Sequence, residues 1–168
     1  TEEGVQQTGT SKLEALLFML QYGATPWWAE DLPKQSIEEL FLEFAEQAPQ
    51  KLRGAFLQVG QYPVVWERTI NQLSASGIET IINRLFPNNA RTIFAQAKVL
   101  ETIHYSQGFK RLKNVDAKAF KWGIILEHLL TSKQSINQQA FSKEILLQTA
   151  RFYQLSPKKL VEFSHNVI

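Results

Sequence analysis

The chain has 168 residues, 44% of them apolar, and no cysteine: enough apolar content for a real core, and no disulfide framework or cysteine-based zinc site. No apolar run approaches the roughly 20 residues of a membrane-spanning helix, because Glu14 interrupts before Leu16, and Glu127 and His128 break the run that starts at Ile124. The net charge of +2 conceals an uneven distribution: residues 1–87 carry 6 basic and 11 acidic side chains (net −5), and residues 88–168 carry 12 and 5 (net +7).

Residues 1–10 are polar and rich in Gly, Thr and Gln, and read as a flexible leader or linker. Leu13, Leu16, Leu17 and Leu20 then recur at the spacing of one helical face, behind a Ser11-x-x-Glu14 capping box. The same device at Ser36-x-x-Glu39 opens a second stripe of Leu40, Phe41, Phe44, Ala45 and Ala48, stopped by Pro49. Short helices are expected over 50–58 and over 63–73, the latter opened by Pro63 at the first-turn position that tolerates proline. Ser76-x-x-Glu79 predicts the start of a fifth helix carrying Ile78, Ile81, Ile82 and Leu85 and ending at Pro87. Beyond the Pro87–Asn89 turn, Ile93, Ala97, Leu100 and His104 mark a longer helix closed near Gly108. Phe120, Ile124, Ile125, Leu129 and Leu130 mark another from Asp116, and Phe141, Ile145, Leu146 and Ala150 the next. Ser156-Pro157 reads as an N-cap and first turn leading to Leu160, Phe163 and Val167. No segment alternates with a two-residue period, so the fold class is all-α: an irregular array of about eight or nine short helices in one compact domain over 11–168, with a subdivision near 87–89 where the charge balance changes.

The most informative stretch follows the first stripe. Gly23 suits the left-handed conformation that closes a helix, Pro26 prevents its resumption, and Trp27 and Trp28 come directly behind. The rings are either core, one capping the helix and the other packed under the next element, or a contact surface. Leu16, Leu20, Gly23, Pro26, Trp27, Trp28 and Ala29 together resemble the signature of tape measure proteins of contractile injection systems, with Thr25 where an aliphatic residue is expected. A second, less specific stretch, Glu67-Arg68 followed by Leu73-Ser74 and Ile78, Ile81, Ile82, Leu85 and Pro87, is similar to the Arg/Leu helices of that family. The resemblance covers the first half of the chain and fades after Pro87. It implies a non-enzymatic assembly protein of a phage-tail-like particle that sets inner-tube length. Its partners would be tube, baseplate or spike, and cap proteins, with self-association as a further option. It would work in the cytoplasm during assembly and then within the particle, released with it. On this reading Gly23, Pro26, Trp27, Trp28 and Arg68 are the signature or contact residues, Arg68 pairing with Glu67 or with a neighbouring helix.

Catalytic chemistry is poorly supplied. His104, His128 and His165 are far apart, and Glu127-His128 lacks the second histidine that a helical metal site places one turn on. There is no Gly-x-Ser-x-Gly elbow, and Gly4, Gly9 and Gly60 stand alone, so no phosphate-cradling loop is expected. The carboxylate pairs Glu30-Asp31 and Glu38-Glu39 are accounted for by a place in or beside a helix's first turn, where the backbone dipole favours negative charge. No enzyme, cofactor or metal is expected.

The densest basic run, Lys110, Arg111, Lys113, Lys118 and Lys121, is a candidate contact surface. Phe120 and Trp122 beside it fall on an expected buried face, so nucleic acid is not favoured. The alternative to the assembly role is a general helical interaction module, an adaptor or scaffold with Trp27, Trp28 and Trp66 as its aromatic anchors.

Overall fold

The computed structural model describes residues 2–106, 116–131, 138–156 and 158–159, and all the regular structure among them is helical. They form eight α-helices and one short 3-10 turn, divided between two compact units, residues 1–87 and residues 88–168.

The first unit holds α1 (Glu2–Tyr22), the 3-10 turn (Trp27–Ala29), α2 (Ile37–Gln47), α3 (Pro49–Val59), α4 (Pro63–Gln72) and α5 (Ala75–Leu85). Helix α2 is its hub, packing on α1, α3, α4 and α5. The reason lies in its stripe: Leu40, Phe41, Phe44 and Ala45 are all buried, and Phe41 meets Phe56 of α3 edge to face at 5.1 Å. Helix α5 presents Ile78, Ile81, Ile82 and Leu85 at the spacing of a single face, all buried.

The boundaries follow local chemistry. Ser36 and Glu39 form a reciprocal capping box: Ser36 Oγ accepts from Glu39 N at 3.1 Å, and Glu39 Oε2 accepts from Ser36 N at 2.7 Å. Pro49 and Pro63 each occupy the first turn of a helix. Two of the three expected boxes are corrected. Ser11 and Glu14 lie inside α1, because that helix begins at Glu2, so residues 2–10, expected as a leader, are helical. The helix after residue 73 is capped by Ser74, not Ser76. Ser74 Oγ accepts from Gly77 N at 3.0 Å, and Glu38 of α2 reaches across to accept from Ser74 N at 3.0 Å. That long-range acceptor moves the cap two residues upstream.

The second unit holds α6 (Ala90–Tyr105), α7 (Ala117–Thr131) and α8 (Gln138–Tyr153), each packed on the other two. Helix α7 is the most apolar: Phe120, Trp122, Ile124, Ile125, Leu126, Leu129 and Leu130 are buried on several of its sides. Asp116 caps its start, Oδ2 accepting from Ala119 N at 3.2 Å. His104 is buried with its Nδ1 3.4 Å from Tyr153 Oη and its ring 5.3 Å from that of Phe120. Helix α8 closes with Gln154 in the left-handed region (φ 55°) and a bond from Leu155 N back to Ala150 O at 2.8 Å. Gly108 and Pro157 lie outside the described residues. Ser156 Oγ accepts from Lys159 N at 3.3 Å, as an N-cap does.

Candidate functional site

The site grows out of the end of α1. Its last carbonyls have no intrahelical donors, and its last turn carries no basic residue to complement the negative end of the helix dipole. Gly23 N takes Met19 O at 2.9 Å. The guanidinium of Arg68, 48 residues further along the chain on α4, takes Leu20 O through Nη1 and lies 3.4 Å from Met19 O. A charged donor nitrogen from a different helix thus completes the end of α1. Among the described residues no ion pair joins Arg68 to Glu67, so of the two expected pairings it is the neighbouring helix that Arg68 engages.

Gly23 is required twice over. Its φ is +76°, and a Cβ built there would stand 2.9 Å from Arg68 Nη2. Two residues singled out on separate stretches of sequence therefore meet in one cap. From Gly23 the chain leads to Pro26, buried and extended (φ −67°, ψ 145°), which delivers Trp27, Trp28 and Ala29 into a 3-10 turn packed on α1. Trp27 is 81% exposed and Trp28 36%, whereas Ala29 is buried. Trp27 is therefore not core. Tyr22 and Tyr62, at the end of α1 and just before α4, are also exposed. Trp66 is half-buried on α4, its indole N–H without a hydrogen-bond partner among the described residues.

A cavity of about 530 Å3 opens beside the tryptophans, within the range of small-ligand sites. Its apolar wall is Ala15 and Met19 of α1, Ala29, Leu32 and Pro33 of the connecting segment, and Leu40 of α2. Lys12, Glu30, Lys34 and Gln35 supply its polar groups. Glu43 accepts from Gln35 Nε2 at 2.7 Å and from Lys12 Nζ at 3.3 Å; the Gln35 bond above all, with the lysine, holds its carboxyl below the usual range against the opposing pull of burial. Gln35 Oε1 is buried without a partner among the described residues. The cavity was not foreseen from sequence, although a Pro-rich connection between two capped helices marks a loop that must pack on something. Glu30 and Asp31, expected in or beside a helix's first turn, lie beside the 3-10 turn, at its C-terminal end, where Glu30 closes it and the dipole does not favour negative charge.

The basic run is only partly described. Lys110, Arg111 and Lys113 lie outside the described residues. Lys118 and Lys121 are on α7, and Lys121 is committed within its own unit, to Glu101 at 3.0 Å and over the ring of Trp122 at 5.2 Å. No group of three or more His, Cys, Asp or Glu able to hold a metal occurs among the described residues.

The sequence model of contractile injection system tape measure proteins matches residues 1–163. The chain belongs to that family. The match runs well past Pro87, where the resemblance read from individual motifs fades, so the second unit is as much a part of the tape measure protein as the first. No curated protein and no solved structure matches the chain. Membership makes this a component of a contractile injection system, in association with other components of that system, and the family is a structural one. No helix among the described residues is long and apolar enough to cross a membrane.

Proposed function

We propose that this chain helps set the inner-tube length of a contractile injection particle, acting in the cytoplasm during assembly and then within the particle, with no catalytic role. The observation that carries the reading is the family match over residues 1–163. Its contacts would be with tube, baseplate or spike, and cap proteins, and the Gly23–Arg68 cap would present Trp27 and Trp28 to one of them. The uneven charge, −5 and +7, would favour an ordered, end-to-end arrangement along the tube.

Lengthening and shortening the parent gene in frame, with particle length read by electron microscopy, tests this reading. Tube length that follows the residues added, near ~1.5 Å for each, is expected; particles of constant length would overturn it. In that event the exposure of Trp27 favours the second reading, a helical adaptor whose aromatic pair anchors a partner.

A further inference from the structure

Trp27 and Trp28 are followed by two carboxylates, and the backbone arranges the four together. Ala29 N bonds Pro26 O at 3.0 Å and Leu32 N bonds Ala29 O at 3.0 Å, two successive turns of the i to i+3 kind. In such turns residues three apart stand on the same side. Glu30 therefore shares a side with Trp27, and Asp31 follows Trp28 at the same spacing. Both carboxylates are exposed, and among the described residues neither is in an ion pair and no cation lies over either ring. Lys34, exposed four residues on from Glu30, offsets one of the two charges, so the segment carries a net −1 within a half-chain of net −5.

An aromatic face with a carboxylate beside it is the setting in which a lysine or arginine is held, by the ring quadrupole and by charge together. The cavity next to it, walled by Ala15, Met19, Leu32, Pro33 and Leu40, has room for an apolar side chain from the same ligand. We propose that residues 27–31 dock a basic peptide segment of a partner protein, one of whose Lys or Arg side chains lies over Trp27 against Glu30 and Asp31, with a neighbouring aliphatic side chain in the cavity. This rests on the proposed contact role of the tryptophans and is independent of the ruler role.

The test is fluorescence anisotropy of a dye-labelled, amidated decapeptide of alternating Leu and Arg, titrated with the full 168-residue chain. Matched peptides carry Gln or Glu in place of Arg. Saturable binding of the Arg peptide alone is expected, weakened about tenfold by the Glu30→Gln/Asp31→Asn double variant and similarly by Trp27→Ala. Loss of the same charge elsewhere, in Glu14→Gln/Glu79→Gln, leaves the affinity within about twofold. Equal binding of the Gln peptide, or equal weakening by the two double variants, overturns the proposal. So does concentration-dependent dimerisation abolished by Trp27→Ala, which would make the occupant a second copy of this chain. Failed binding with tube length still following gene length removes this docking site and leaves the ruler; the converse removes the ruler and leaves the site.

Discussion

Arg68 does at one residue what α1 cannot do for itself. It supplies donors and positive charge to a helix end that lacks both, and its guanidinium fills the space a side chain on residue 23 would need. Arg68→Ala should therefore lower stability by about 1.5–3 kcal/mol, the range for hydrogen bonds to a charged group, and Arg68→Lys should recover only part of it, keeping the charge but not the guanidinium's shape and reach. Gly23→Ala adds a left-handed strain of about 1–2 kcal/mol to the clash. Urea unfolding of the three variants checks both; an Arg68→Ala chain as stable as the parent would mean that the cap is ornamental. Trp27→Ala is the contrast. A core tryptophan would be worth about 3–5 kcal/mol, but a ring this exposed should cost under about 0.5 kcal/mol, whereas Trp122→Ala, with the ring 2% exposed, should show the full core penalty. Gly23, Pro26 and the tryptophans were legible because helix stops are local chemistry. Arg68 was legible as a residue that pairs with Glu67 or a neighbouring helix, but its acceptors, the last carbonyls of α1, were not, since the contact joins positions 48 residues apart.

Among elements, the capping serines show how far local signals reach. Ser36 and Glu39 act as their spacing predicts. Ser76 has the same spacing to Glu79, yet Ser74 wins because Glu38, arriving from α2, binds its backbone and hydroxyl and fixes the helix start there. Ser74→Ala should thus cost about 1–2 kcal/mol and Ser76→Ala far less, measured as the shift in urea midpoint; equal effects would contradict the assignment. In the second unit, α7 and α8 trap His128 half-buried, its ring 5.0 Å from Phe141. Burial lowers its pKa below the usual 6.5, opposed in part by Glu144. The folded chain then holds this proton less well than the unfolded one, so the contribution is intact above pH 6.5 and is lost as the pH falls from there toward the folded value. Melting temperature should decline over that window, and the His128-dependent part should vanish in His128→Gln; an unchanged slope in the variant would assign it to other groups.

For the whole molecule, the all-helical character was readable because stripes at helical spacing run from Leu13 to Ala150 without a two-residue alternation. The family was readable only where it concentrates in rare residues, Gly-x-x-Pro-Trp-Trp, and faded beyond Pro87, where the match continues through apolar helices that many folds share. The cavity at Ala15, Met19, Leu32 and Leu40 was illegible for another reason: it exists only once two helices and their connection are packed. What distinguishes this chain from a generic helical protein is that Trp27 and Trp28 follow a capped helix end and are left exposed.

The direct test is electron microscopy of particles carrying Trp27→Ala/Trp28→Ala, alongside thermal melting of the same chain. The account predicts a nearly parental melting temperature with few particles, or with tubes of irregular length. Normal particles of uniform length from a chain that melts like the parent would contradict it.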